Sequence, residues 1–204
     1  PYRGLKSFKL DGKPVGVQFS PTNISQLGWE KSTNATIAKV VSSSKKEFVA
    51  SLFNFTSQPI SNALGEAKEK SPRMAVEILI DPTSATRYYS SLLDVWGLEM
   101  RNSRNCRLQE DNKPWKLASK ESGKPILTHG DKLHHKFAVV DRETVIFGSH
   151  NWSDSGNYTN DETLMLIKDP AIAKEFVRVH TRLFRSANLG PKPELLQKIK
   201  DINK

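Results

Sequence analysis

The run His134-His135-Lys136-Phe137-Ala138-Val139-Val140-Asp141 and, after six intervening residues, Gly148-Ser149-His150-Asn151 combine strand periodicity with reactive side chains. Leu133–Val140 and Thr144–Phe147 read as strands joined through Asp141-Arg142-Glu143. Side chains alternate along a strand, so His134 and Lys136 point to one face and His135 and Phe137 to the other. A tight return then places Ser149 and Asn151, again two residues apart, near the same end of the sheet. Four polar groups converge there on a space the size of a phosphate.

Each type suits phosphoryl transfer. An imidazole is nucleophilic near neutral pH and forms a covalent intermediate that splits displacement into two easier steps. Lys136 supplies a fixed positive charge, and Ser149 and Asn151 supply hydrogen-bond donors, where negative charge collects on the non-bridging oxygens. A carboxylate is needed to orient the imidazole and steady its cation, and Glu162, at the start of the next strand, is the candidate. Asp141 is expected to hydrogen-bond nearby backbone groups rather than to touch substrate.

Outward from this motif, strand-like and helix-like segments alternate, which argues for an α/β domain with helices covering a largely buried sheet. Strands are expected at 15–19, 47–53, 74–80 and 162–167. A helix is expected over 58–69 from the spacing of Ile60, Ala63, Leu64 and Ala67, and another over 84–96, stopped by Gly97. Thr36–Ser43 reads as the end of a helix whose start is not legible. Ile172, Phe176, Val179 and Leu183 mark an amphipathic helix beginning near Pro170, and 193–202 a short terminal one. Residues 101–130 lack a clear pattern and are longer than most connections, which fits the wall of a groove. No internal repeat is visible.

The 204 residues suffice for one sizeable core. With 37% hydrophobic and 26% charged residues, general disorder is excluded. A single cysteine, Cys106, excludes an intramolecular disulfide and a multi-cysteine zinc site, and nothing in its surroundings marks it as reactive. No uninterrupted apolar run approaches the roughly 18 to 20 residues that span a bilayer. The start Pro1-Tyr2-Arg3-Gly4 has no signal-like region, and the compartment stays open. The net charge of +9 favours polyanionic partners through phosphate contacts and counterion release, against the plainer reading of a solvated basic surface. Between residues 101 and 136, nine Lys or Arg face four acids.

The spacing His134-x-Lys136-x4-Asp141-x6-Gly148-Ser149-x-Asn151 resembles the signature of the phospholipase D superfamily. Six specified types at fixed offsets arise by chance about once in 10^5 such chains. Asn160-Asp161-Glu162-Thr163 looks like the family's Asn-x-Glu segment, and Ser51–Ser57 with the helix after it is similar to the opening of the small, single-motif bacterial endonucleases of this superfamily. The likeness covers about residues 30–185.

The resemblance implies a phospholipase-D-like α/β fold: a mixed, mostly parallel sheet flanked by helices on both faces. Residues 15–187 would form the catalytic domain, 1–14 an extension or strand lead-in, and 188–204 a helical tail. It implies His134, Lys136, Ser149, Asn151 and Glu162 as the catalytic set, with Asp141 and Gly148 supporting the motif. It further implies a phosphohistidine intermediate with no metal and no cofactor. Family members carry two motifs in one chain or one motif in a homodimer. This chain has one, so two His134 side chains would face each other across a twofold axis, and no membrane contact is obligatory.

Three functions remain open on the sequence alone. The first is a nuclease acting on DNA or RNA with little sequence specificity, contacting backbone phosphates through Lys132, Arg104 and Lys116. Trp115 is then a stacking platform, and Trp152 either a second platform or a core aromatic. The second is phospholipase or phosphatidyl-transfer activity on the same core. The third is a nucleic-acid-binding module with a vestigial site, which complete retention of the signature disfavours. His129, His135, His150 and His180 read as structural, His150 with a secondary role in shaping the pocket.

Overall fold

A computed structural model of the chain describes residues 4–22, 27–105, 107–108 and 113–203. Cys106, read from the sequence as unreactive, lies outside them. A nine-stranded sheet of order β1-β2-β8-β7-β6-β3-β4-β5-β9 runs through the molecule. Its strands are β1 Lys6–Leu10, β2 Lys13–Phe19, β3 Glu47–Leu52, β4 Ala75–Ile80, β5 Gly123–Lys124, β6 Lys136–Val140, β7 Thr144–Gly148, β8 Thr163–Lys168 and β9 Asn188–Leu189. The helices are α1 Thr33–Val41, α2 Gln58–Lys70, α3 Ser91–Val95, α4 Asp154–Tyr158, α5 Pro170–Phe184 and α6 Pro193–Ile202.

The sheet is mixed and has helices on both faces, but its strands are mostly antiparallel, which corrects the expected mostly parallel arrangement. The connections explain why. β1–β2 and β6–β7 are joined by turns too short for a crossover, so each pair must reverse direction. The run of α2 between β3 and β4 is long enough for a crossover, and that pair is parallel.

Phe48, Ala50 and Leu52 of β3, Ile78 and Ile80 of β4, and Ala138 and Val140 of β6 face α1 and α2, where Ile37, Val41, Ile60 and Leu64 complete the larger core. Val49, Val139 and Val145 face the other way, against Ala173, Phe176 and Val177 of α5. Register keeps the two sets apart: Ala50 stands opposite Ala138 and Val49 opposite Val139, and a slip of one residue would exchange the faces.

Several elements differ from their expected bounds. α1 begins at Thr33 because the Ser32 hydroxyl caps it, accepting from Ala35 N–H. The expected helix over 84–96 shortens to Ser91–Val95, because Asp81 draws residues 83–85 into turns and Ser90 caps the short helix that remains. β1 was not foreseen; it is an exposed edge strand without a buried face. Of the stripe read from Ile172, Phe176, Val179 and Leu183, Phe176 packs on the smaller core together with Val177 while Ile172 is exposed; the fully buried residues of α5 are Ala173 and His180, because a small residue and a hydrogen-bonded histidine fit against the sheet. His180 Nδ1 lies 3.0 Å from the Ser51 hydroxyl and its Nε2 3.4 Å from Glu77.

The β6–β7 turn carries Asp141 and Arg142 at φ 52 and 58, the two left-handed positions of a tight hairpin. The Asp141 carboxylate accepts from the backbone N–H groups of Lys45, Lys46 and Glu47, at 3.1, 2.8 and 3.0 Å, tying the start of β3 to the turn. Burial alone would raise its pKa, but those three N–H groups and the Lys46 charge outweigh burial and hold the carboxyl below its ordinary value.

The folded carboxyl therefore takes up a proton less readily than the unfolded one. Its stabilisation is complete above the unfolded pKa of about 3.9 and is lost as pH falls through the lower folded value. Asp141→Ala should cost about 1 to 2 kcal/mol at neutral pH in urea unfolding, with the gap to the parent narrowing as pH falls below about 3.9. A gap that stays constant into acid would show that the carboxylate does not clamp β3.

Candidate active site

His134 lies two residues before β6, at the end of the sheet where β3 and β4 finish and β8 begins. Its backbone is placed by two bonds on either side: Asp81, fully buried at the end of β4, accepts from Leu133 N–H at 2.8 Å, and His135 C=O accepts from Phe53 N–H at 2.7 Å. The His134 ring is exposed and packs against Phe53, with centroids 4.8 Å apart. Its nitrogens carry no hydrogen bond among the described residues.

Lys136 is 8% exposed; its ammonium donates to His134 C=O at 2.9 Å and sits 4.9 Å from the Phe53 ring centroid. Burial lowers the Lys136 pKa, and the Glu162 carboxylate opposes that shift. One aromatic ring thus supports both the imidazole and the cation.

The loop after β7 supplies the facing groups. A Cβ on Gly148 would fall 2.0 Å from Thr163 C=O, so only glycine lets β7 approach β8 this closely. The next residue closes the rung twice: Ser149 N–H donates to Thr163 C=O and the Ser149 hydroxyl oxygen accepts from Thr163 N–H, both at 3.0 Å. The serine proton stays available to an external acceptor. The Asn151 side-chain carbonyl is buried without a partner among the described residues, so its amide presents the Nδ2 donor outward.

His150 points the other way, into the molecule, at 1% exposure. Thr33 has a single hydroxyl proton, donated to Asn157 Oδ1 at 2.7 Å, so at 2.8 Å it accepts from His150 Nε2–H. Burial pushes the His150 pKa down to about 4 against the field of Glu162, and the ring is neutral at physiological pH. Asn157 also accepts from Asn34 N–H, and Asn34 Nδ2 donates to the Ser57 hydroxyl and to Ser153 C=O. Of this network under the loop only His150 was singled out from the sequence, as shaping the pocket; Thr33, Asn34 and Asn157, like Asp81 and Phe53, were not. Isolated Thr, Asn and Asp residues carry no local pattern; only the acid closing a buried strand at Asp81 gave a usable signal.

Glu162 is half-buried, accepts from Asn160 Nδ2 at 3.2 Å, and makes no hydrogen bond to His134 among the described residues. Its charge falls on Lys136 and His150 instead. With Phe19, Ser20, Asp161 and Thr163 it lines a shallow recess of about 330 Å³.

Trp115, read as a stacking platform, is a core residue at 6% exposure: it packs on Gly65 of α2, and its indole N–H donates to Ser61 at 3.2 Å. Trp152 is likewise core, edge-on to Phe55 at 5.5 Å, while its C=O accepts from Thr56 and Ser57 N–H. The lysine-rich surroundings of Trp115 concealed that its partners lie on a distant helix. Lys116 is paired with Glu69 of α2 at 3.1 Å, Arg104 is exposed in a turn, and Lys132 is exposed two residues before His134.

A mixed sheet with an imidazole, a buried ammonium and hydroxyl and amide donors gathered at one end defines a phospholipase D-like domain, a class of enzymes that act on phosphodiesters. The chain belongs to this family: residues 37–184 match the family described as Cardiolipin synthase, PLD-like domain. Mitochondrial cardiolipin hydrolase of Xenopus tropicalis is 40% identical over 53 residues, which are 26% of this chain and 25% of that protein. The match thus spans about a quarter of the curated relative's length.

Among solved structures, Nuc of Salmonella typhimurium, a phospholipase D family member, superposes with a TM-score of 0.61 at 20% identity, covering 87% of this chain and 98% of that one. NucT from Helicobacter pylori gives 0.61 at 16% identity, over 87% and 99%. At these identities the agreement concerns the fold.

Proposed function

We propose that the chain hydrolyses phosphodiester bonds of nucleic acid, DNA or RNA, through a phosphohistidine on His134, in a site shared by two copies of the chain. The observation that carries this reading is the exposed, unbonded His134 ring on Phe53, with the buried Lys136 ammonium beside it. The imidazole attacks phosphorus, the bond to the leaving oxygen breaks, and that oxygen takes a proton from His134 of a second copy. Water, deprotonated by the same second imidazole, then attacks the phosphohistidine. The P–N bond breaks and a phosphomonoester leaves.

Lys136, Ser149 and Asn151 hold the non-bridging oxygens as charge builds on them. Glu162 acts through the field it places on Lys136, and Asp141 and Gly148 keep the strands in register. The net charge of +9 favours a polyanionic substrate over a neutral one. The proposed catalytic unit is not confined to 15–187: β1 and the start of β2 on one side, and β9 and α6 with Ile199 on the other, complete its sheet and core, which corrects the expected lead-in and appended tail.

A second reading, cleavage of a lipid phosphodiester, is favoured by the family description and by the cardiolipin hydrolase relative. Among the described residues no helix is long and apolar enough to cross a membrane. One experiment separates the readings: single- and double-stranded DNA, RNA and cardiolipin vesicles are each incubated with the chain in excess EDTA. Nucleic-acid cleavage should persist under chelation, and light scattering should report a species of about twice 23 kDa. Activity confined to vesicles would move the assignment to lipid. Loss of activity on chelation would remove the metal-free mechanism, and an active monomer the shared site.

A further inference from the structure

α5 turns Ala173, Phe176, Val177 and His180 towards the sheet. On the opposite side Lys174, Arg178, Arg182 and Arg185 succeed one another at steps of four, four and three residues, all exposed. At 1.5 Å rise per residue they form a row about 16 Å long. With Glu175 and Thr181 these cations line a trough of about 640 Å³. Arg178 alone has a carboxylate neighbour, Glu175 at 3.4 Å. Lys174, Arg182 and Arg185 have no ion pair among the described residues.

Like charges four residues apart destabilise a helix, so an exposed helical face kept only for solubility normally mixes signs. α6 does so: Lys198 stands among Glu194 and Asp201. On α5, four cations share the trough with a single acid, Glu175, over three turns. The C-terminal half of α5 reaches the site's end of the sheet, on the face opposite to His134: His180 meets Ser51, near the end of β3, at 3.0 Å, and the Arg182 charge reaches His135, whose ring packs on Phe137 at 5.3 Å.

We propose that the outer face of α5 is a docking surface for the phosphate backbone of a nucleic-acid strand whose cleaved phosphate lies at His134; this rests on the phosphodiesterase reading above. A row one residue wide matches a linear polyanion, since successive phosphates along a strand meet successive guanidinium groups. A membrane surface fits it less well. Interfacial docking needs apolar anchors beside the cations, and the trough's apolar residues, Val177 and Val179, are half-buried. The contact is sequence-independent, because backbone phosphate carries no base information.

The test uses the full chain with Arg178→Gln, Arg182→Gln and Arg185→Gln combined. The charge-matched control is Lys192→Gln, Lys198→Gln and Lys200→Gln, at and beyond the start of α6. Binding of a labelled single strand about 20 nucleotides long is followed by anisotropy across a salt series, with both sets placed on His134→Ala so that no cleavage intervenes.

At about 0.7 released counterions per contact, the α5 variant should flatten the slope of log K against log salt by about 2 and weaken binding at least about tenfold near 0.1 M salt, the control leaving both unchanged. Turnover of bis(p-nitrophenyl) phosphate, too short to reach the row, should be the same with and without the α5 changes when His134 is present. Equal affinity and slope in the α5 variant and its parent would overturn the docking surface. So would an α5-dependent loss of binding to anionic phosphatidylglycerol vesicles with oligonucleotide binding intact. Strand binding that depends on α5, in a chain that cleaves no phosphodiester, would instead leave the surface standing and remove the catalytic reading.

Discussion

His134→Ala is expected to lower phosphodiester turnover by at least about 10^4-fold while changing stability by no more than about 0.5 kcal/mol. The separation of the two effects comes from the ring's surroundings. The side chain is exposed, makes no hydrogen bond among the described residues, and packs on Phe53. Its position depends on backbone bonds that alanine keeps, from Leu133 N–H to Asp81 and from Phe53 N–H to His135 C=O. Removing the imidazole therefore deletes the proposed nucleophile and leaves the scaffold. Initial rates on bis(p-nitrophenyl) phosphate, with thermal unfolding alongside, check both halves. Retained turnover in a folded variant would mean that another group attacks phosphorus.

Gly148→Ala is expected to be the most damaging change of a single methyl group, costing about 3 to 5 kcal/mol of stability. The added carbon would stand 2.0 Å from Thr163 C=O and 2.9 Å from its carbonyl carbon, inside any real contact distance. Both atoms belong to backbone, so no flexible side chain can give way. The strands cannot part locally either, because Ser149 holds Thr163 through both its N–H and its hydroxyl oxygen. The variant must open the β7–β8 rung, which carries Ser149 and Asn151 away from His134 and lowers turnover in the fraction that still folds. Denaturant unfolding measures the first effect and rates at saturating substrate the second. A midpoint equal to the parent's would show that the two strands are not this close.

Legible and illegible features of the sequence divide along physical lines. The two-residue alternation across His134, Lys136 and Phe137 was readable because a strand's faces are set by covalent geometry alone. The cation ends up against Phe53 and Phe137 against Phe176, on opposite sides of the sheet. Strand direction was not readable, since it depends on which strands become neighbours. β3 pairs with β6 across an intervening β4 and β5, and no local pattern encodes that choice.

Trp115 shows a related failure. Flanked by Lys113 and Lys116, it looks wet, yet Ser61 and Gly65, some fifty positions earlier, provide its pocket. In α5, Ile172, Phe176, Val179 and Leu183 gave an apolar stripe with the right period, and Phe176 does pack on the core, but the fully buried positions are Ala173 and His180. Ser51 offers that histidine a hydrogen bond, which hydrophobicity does not register. The partners of His150, Thr33, Asn34 and Asn157, were hidden for the same reason.

That network has a kinetic corollary. Thr33 and Asn34 grip His150 and Asn157 across separations of 117 to 124 positions, and Lys45, Lys46 and Glu47 meet Asp141 across 94 to 96. Such distant pairings are slow to form and cannot exist in a chain synthesised only as far as β6. His134 is made before Ser149 and Asn151, and the contacts that hold their loop are among the most distant in the chain. A nascent or partly opened molecule would thus carry His134 without the groups that face it.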